Sequence, residues 1–337
     1  MIDLLFFSSP IGLGHATRDI AVSQYLGSFS KRFVSGEGAS KLLSQNGFEV
    51  EDLLRPPSFQ VENGKLQNPL KWLFKYYSYY NECKTISSKV LEKEKPRILV
   101  SDEDFASLVI AQKMRIRTIL LTDILKTRFA KGIGSLVEKK MNQVMQKIIK
   151  KCDLVIIPEN GKNHGNIIRV DPIVRELSQS RIELRKKFAF TRKTIVVSVG
   201  GTSSGKFLLE IVIETFKKIH LDADLIIVSG PAIQLPQTVI RNFGFVNNLH
   251  EIIFASDLVI SLAGKSTIDE SKHYGTPGIF IPIKGHFEQE ENAKGLGFTY
   301  DDIFRLDDLI LEKINEERNP QQYQGAKQAA ELIRKFL

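Results

Sequence analysis

The residues best suited to chemistry fall in two blocks, far apart in the chain. Between Ser261 and Ala293 the sequence reads SLAGKSTIDESKHYGTPGIFIPIKGHFEQEENA. An apolar strand runs into a turn at Gly264, and a helix follows. Glu270 stands six residues past Gly264, so its carboxylate can reach back over the helix start. A carboxylate only accepts hydrogen bonds, which suits the two donor hydroxyls of a ribose diol. A Gly-x-Pro break, a second apolar strand and the polar cluster Glu288, Gln289, Asn292 come next. Open α/β sheets bind ligands at the carboxyl ends of their strands, where both polar groups would lie. The block is shaped for a nucleotide sugar.

The second block is SSPIGLGHATRD, at the end of the first strand. Gly12 and Gly14 permit a tight turn and close backbone approach. His15 then opens a helix, where the dipole disfavours imidazolium, so a neutral imidazole is expected near pH 7. Such a group can take a proton from a hydroxyl or water. The plainer alternative is a capping or hydrogen-bonded histidine. The third glycine of a dinucleotide fingerprint is missing, which argues against a nicotinamide or flavin site.

Two further stretches carry open readings. Gly200 to Lys206 has P-loop spacing, but Phe207 stands where a magnesium-binding Ser or Thr is required. The alternative is a Gly/Ser/Thr turn at a helix start, whose amides and hydroxyls receive a diphosphate. Asp102-Glu103-Asp104 follows the strand RILVS, and Asp123 follows RTILLT. Either set lines a cleft or forms a solvated turn, and a metal site is not expected there. His273, on the helix after Gly264, is expected to be packing or surface; His164, His220 and His250 have no companions suggesting ligands; His286 is expected to help shape the pocket.

These residues need a scaffold. Strand-like apolar runs are expected at 2–8, 97–101, 117–122, 153–157, 194–199, 224–229, 257–261 and 278–283. Helical patterns lie between them at 15–26, 82–94, 135–151, 206–219 and 265–274. Continuous β-branched runs alternating with helices indicate parallel sheets covered on both faces. The pattern restarts near 193, so the fold class is α/β with two Rossmann-like domains. The stretch from Asp171 to Arg192 is expected to be a polar, helical bridge. Residues 319–337 read as an amphipathic helix. The aromatic and basic segment PLKWLFKYYSYYNE (69–82) is either a helix with core aromatics or an interfacial helix.

Composition sets the limits. The 337 residues are 42% hydrophobic and 26% charged, an ordinary globular balance. No apolar run reaches the roughly 18 residues of a spanning helix. The first residues, MIDLLFFSSP, lack the basic region of a signal peptide. Cys83 and Cys152 are too few for a disulfide framework or metal site, and a cytoplasmic setting is expected. The net charge is +8, and all of the excess lies in residues 1–174, with 26 basic and 18 acidic side chains. The densest run is 126–151. Such a face attracts anionic lipid, nucleic acid or a phosphorylated substrate, or is simply a solvated helix face.

Taken together, GLGH after the first strand, GGTSSG opening the second half and the 261–293 block resemble the two-domain GT-B glycosyltransferases. The chain is most similar to MurG-like, family 28 nucleotide-sugar transferases with an N-terminal G-x-G-H-A-T-R. That resemblance implies two Rossmann-like domains facing across a cleft. Residues 1–174 would bind the acceptor, 175–320 the donor, and 321–337 would pack back toward the first domain. Gly264, Ser266, Thr267 and Glu270 would form the donor motif, with Glu270 on the ribose. Glu288 and Gln289 would contact the donor sugar, and Gly201, Thr202 and Ser203 the diphosphate. Phe245 and Val246 would hold the base, and Arg175 would stand near the diphosphate. His15 would be the base, with Gly12, Gly14, Asp102, Asp104 and Asp123 on the acceptor side. Lys265 replaces a small residue, and Gly-Leu-Gly-His replaces Gly-Gly-His.

The implied activity is a metal-independent, inverting transfer of an N-acetylhexosamine or hexose from a UDP-sugar to a hydroxyl, with a lipid-linked acceptor favoured. No cofactor is implied beyond the substrate. The implied partners are the donor, that acceptor and an anionic membrane surface touched by the basic half; nucleic acid is not expected. The alternatives are a nucleotide-sugar hydrolase with water as acceptor, a P-loop NTPase, and a non-catalytic UDP-sugar-binding protein.

Overall fold

The computed structural model describes residues 2–128, 134–231, 233 and 241–337. Residues 129–133 of the basic run lie outside the described residues. The chain divides into two compact units: residues 1–58, 68–174 and 323–337 form the first, and 59–67 with 175–322 the second.

The first unit is built on seven parallel strands: β1 (Leu4–Ser8), β2 (Lys31–Ser35), β3 (Val50–Asp52), β6 (Ile98–Asp102), β7 (Arg117–Leu121), β8 (Leu154–Pro158) and β9 (Ile167–Val170). Between β3 and β6 in the chain, β4 (Gln60–Glu62) and β5 (Lys65–Gln67) form an antiparallel hairpin of the second unit. The sheet order is β3-β2-β1-β6-β7-β8-β9, so direction of progression reverses between β1 and β6. LLFF of β1 is wholly buried, as a central strand covered on both faces must be. The second unit carries β10 (Lys193–Ser198), β11 (Ala223–Val228), β12 (Arg241–Asn242), β13 (Leu258–Leu262) and β14 (Gly278–Ile281). Their order is β12-β11-β10-β13-β14, with the reversal between β10 and β13. Each sheet therefore has one switch point, the place where open α/β sheets form a ligand crevice.

Several elements differ from the sequence reading. The segments 69–82 and 82–94 form one helix, Pro69–Glu94, begun by Asn68 in a left-handed conformation and Pro69 at its first position. The supposed bridge helix is only Arg181–Lys187, started by a Ser180/Glu183 capping box. The C-terminal helix spans Gly325–Arg334, shorter than its amphipathic pattern, and Gln328 ties it to Asp171. The strands β2, β3 and β9 and the β4–β5 hairpin were missed, because short, partly exposed strands lack a continuous apolar run.

Candidate functional site

In the first unit the candidate residues collect at the β1–β6 switch point. Ser8 and Asp102 are register partners at the carboxyl ends of those strands. The helix Gly14–Gln24 begins just past β1 and presents His15 and Arg18, one turn apart, to the same carboxylate. His15 Nδ1 lies 2.8 Å from Asp102 Oδ1, and Arg18 Nε donates to Asp102 Oδ2 at 2.8 Å. Arg18 also reaches Asp123 Oδ2 at 2.7 Å. Asp102 is fully buried, so its charge acts undiluted by water.

The consequence reverses an expectation. Burial pushes the His15 pKa down, but the charge and hydrogen bond of Asp102, aided by Glu103, raise it to about 9. The imidazole is cationic at neutral pH in the unliganded protein, not neutral. The bond to Asp102 occupies Nδ1, and Nε2 lies 3.9 Å from Glu103 Oε2. Glu103 is held through Oε1, which accepts from Thr122 Oγ1 and the Asp123 amide at 2.9 Å each. Burial raises its pKa.

Behind this pair, Ser8 Oγ donates to Asp19 Oδ2. Asp19 Oδ1 is buried with no hydrogen-bond partner. Burial, then the Asp102 charge, lifts Asp19 well above the usual carboxylate range, which suits a neutral acid. Sequence reading missed Arg18 and Asp19, and named Glu103 only as part of the acidic turn. The signal available was the helical spacing of His15 and Arg18. Asp104, expected on the acceptor side, instead caps the helix Phe105–Lys113 by accepting from Ser107 N at 2.7 Å. Gly12 takes φ +83°, and nothing lies within 4 Å of where its Cβ would be.

In the second unit the candidate residues flank the β10–β13 switch point. Gly200 (φ +80°) turns the chain after β10, and Thr202 accepts from Ser204 N before the helix Lys206–Lys218. Gly201, Thr202 and Ser203 thus lie on the loop that enters a helix start. Gly230, after β11, sits so close that a Cβ there would be 2.2 Å from Gly200 O. After β13, Gly264 precedes the helix Lys265–Tyr274, which carries Ser266 and Thr267 in its first turn. Gly264 is extended at φ −77°, and a Cβ would meet nothing within 4 Å. Its value is therefore open space beside the backbone, not a special dihedral.

Glu270 and Arg175 are brought together rather than to separate ligand groups. Arg175 Nε donates to Glu270 Oε1 at 2.7 Å and Nη2 to Oε2 at 3.2 Å, with both residues almost fully buried. Arg175 Nη1 also donates to Asn247 O, and Tyr274 Oη to Arg175 O. Arg175 thus neutralises a buried carboxylate. Phe245 and Val246 are half-buried in the segment before the helix Leu249–Ala255. Glu288 and Gln289 open the helix Phe287–Lys294, whose cap is His286. Gln289 Oε1 accepts from Ile283 N at 3.0 Å, and Asn292 donates to Ala263 O. Lys206 is exposed and pairs with Glu210 at 3.6 Å, an arrangement unlike a phosphate-binding P-loop lysine.

Among the described residues, no group of three or more His, Cys, Asp or Glu side chains is arranged to hold a metal ion. None of the helices there is long and apolar enough to cross a membrane.

Two Rossmann-like parallel sheets, each with polar residues at its switch point, define the GT-B class of glycosyltransferase. Residues 194–334 match the glycosyltransferase family 28 C-terminal domain. An uncharacterized glycosyltransferase of Methanopyrus kandleri is 26% identical over 230 residues, covering 62% of this chain and 64% of that protein, just under two thirds of its length. The UDP-N-acetylglucosamine–N-acetylmuramyl-(pentapeptide) pyrophosphoryl-undecaprenol N-acetylglucosamine transferase of Caldicellulosiruptor saccharolyticus is 24% identical, covering 88% of this chain and 82% of that one. Among solved structures, a glycotransferase of kitacinnamycin superposes with a TM-score of 0.70 at 12% identity, covering 100% of this chain and 99% of that one.

Proposed function

We propose that the chain transfers a sugar from a UDP-sugar to an acceptor hydroxyl, with inversion and without a metal. The observation that carries this reading is the His15–Asp102 pair at the switch point of the first sheet. His15 Nε2, once neutral, takes the acceptor proton as the acceptor oxygen bonds to the anomeric carbon. The bond from that carbon to the diphosphate breaks, and UDP leaves with the electron pair. Asp102 holds the ring through Nδ1 and stabilises the imidazolium that forms, while Arg18 fixes the carboxylate. A single displacement inverts the anomeric centre.

On the donor side, Gly201, Thr202 and Ser203 offer loop amides and hydroxyls to the diphosphate. Glu270, held by Arg175, keeps lone pairs for ribose hydroxyls, since a carboxylate has about four acceptor sites. Phe245 and Val246 take the base; Glu288 and Gln289 take the sugar. The Caldicellulosiruptor relative, whose printed name is that of an N-acetylglucosamine transferase acting on a pyrophosphoryl-undecaprenol, favours a UDP-N-acetylhexosamine and a lipid-linked acceptor.

A peripheral membrane position, on the cytoplasmic face, is supported by the helix Pro69–Glu94. Leu70, Phe74 and Tyr77 are exposed on it beside Lys71 and Lys75. Leu70 touches Gly134, the start of the basic helix Gly134–Lys151, where Leu136 and Val137 are also exposed.

The test is a UDP-sugar panel with total membrane lipid as acceptor, read by mass spectrometry. A glycolipid product lost in His15→Ala supports the reading. Stoichiometric free sugar and UDP without any acceptor would replace it with a hydrolase.

A further inference from the structure

The β4–β5 hairpin is drawn from the sequence of the first unit but folds onto the second. Lys284, midway between β14 and the helix Phe287–Lys294, has both backbone groups taken by it. Lys284 N donates to Gly64 O and Leu66 N donates to Lys284 O, each at 2.9 Å. Tyr300 Oη donates to Asn63 O at 2.6 Å. Gly64, at φ +72°, lies against the rings of Phe207 and Tyr300, where a Cβ would approach to 2.6 and 2.7 Å. Glycine is needed there for both dihedral and space. Phe207 belongs to the first turn of the helix after the Gly200–Gly205 loop. The hairpin tip therefore touches the elements that follow β10 and β14.

A second contact reaches the polar residues. The Phe59 ring meets His286 edge-on, with centroids 5.2 Å apart. Burial lowers the His286 pKa to about 4, so its ring stays neutral and accepts from Gln289 N at 3.5 Å. Phe59 thus braces the cap of the helix that opens with Glu288 and Gln289. None of these hairpin contacts involves Gly264, Ser266, Thr267 or Glu270.

We propose that the hairpin is a positioning element for the sugar end of the donor site, with Gly64 and Phe59 as its positioning residues. This rests on the reading that Glu288 and Gln289 contact the donor sugar. By holding Lys284 and His286, the hairpin sets where those two side chains point. The recognition of the sugar depends on it, and the recognition of UDP does not.

The test uses full-length Gly64→Val, Phe59→Ala and Phe59→Tyr. Hydrogen exchange of amides 283–290 reads the positioning. Calorimetry with UDP, UDP-glucose and UDP-N-acetylglucosamine reads the binding. The first two variants should exchange about tenfold faster at 283–290, the scale of a local opening. They should keep UDP affinity within about twofold and lose about tenfold for whichever UDP-sugar the wild type binds more tightly than UDP. Phe59→Tyr should restore both. Unchanged exchange at 283–290, or equal weakening of UDP and UDP-sugar, overturns the proposal. If Gly64→Val does not fold, Phe59→Ala decides. If the wild type gains nothing from the sugar, the donor-sugar reading of Glu288 and Gln289 falls and this sugar-end role falls with it. A changed exchange rate would then leave the hairpin a purely structural brace.

Discussion

Asp102→Asn separates a base held by a carboxylate from a histidine that is merely structural. In the wild type His15 titrates near 9, raised against its own burial by Asp102. At pH 7 such a group is neutral in about one molecule in a hundred. The wild-type kcat/KM should therefore rise about tenfold per pH unit until near 9. In Asp102→Asn the largest influence, burial, still acts downward, and so does the Arg18 charge; only Glu103 still raises the pKa. The acidic limb should fall to 6.5 or below, where about three quarters of the imidazole is neutral at pH 7. The plateau itself should drop by about 10²–10⁴, because the ring loses its orientation and the imidazolium its counter-charge. The two effects oppose each other at pH 7. The ratio of wild-type to variant kcat/KM should thus be roughly 50–100 times larger above pH 9 than at pH 7. The assay is the pH dependence of kcat/KM for both proteins at saturating donor. A ratio that does not change with pH refutes the dyad.

Other consequences can be checked separately. The raised His15 pKa contributes stability that is fully present below about 6.5 and lost as pH rises through about 9, so urea midpoints should fall across that window, and by roughly 3 kcal/mol at most. Arg175→Met should destabilise by about 3–5 kcal/mol because it strands the buried Glu270 charge, and adding Glu270→Leu should recover part of the loss; a single variant as stable as the wild type would contradict the buried pair. Gly230→Ala drives a Cβ into Gly200 O at positive φ, so it should lower stability by about 1–3 kcal/mol and weaken UDP binding, measured by denaturation and calorimetry. Lys206→Ala removes only an exposed pair, so stability should change by less than about 0.5 kcal/mol and transfer activity should persist; loss of a magnesium-dependent ATP turnover would revive the P-loop reading.

The central strands were legible because they are continuous apolar runs, buried on both faces, and each ends near a polar or glycine residue that the fold places at a switch point. The glycines and polar residues were legible one at a time. Their pairings were not. His15 and Asp102 are 87 residues apart, and they meet only because β1 and β6 are neighbours. Arg175 and Glu270 are 95 apart and were assigned to different ligand groups. The hairpin was invisible because its six strand residues are mostly polar and partly exposed, with no run long enough to register.

The charge of His15 shows why pairing decides more than position. A helix start offers about half a positive charge, spread over several amides. That alone argues for a neutral ring, and the charged residues nearest it in sequence, Arg18 and Asp19, are of opposite sign. The fold adds a full negative charge at 2.8 Å in a fully buried setting. Coulomb energy scales with charge and falls with distance and dielectric, so the carboxylate prevails over the dipole. The same burial keeps Asp19 from adding a further charge beside it. The fold brings Asp19 and His15 to the first residue of the acidic turn and makes a graded set: Asp102 ionised, Asp19 neutral, His15 cationic until pH or ligand removes its proton. The reaction proposed here needs that last step, and the pH dependence of kcat/KM is where it must show.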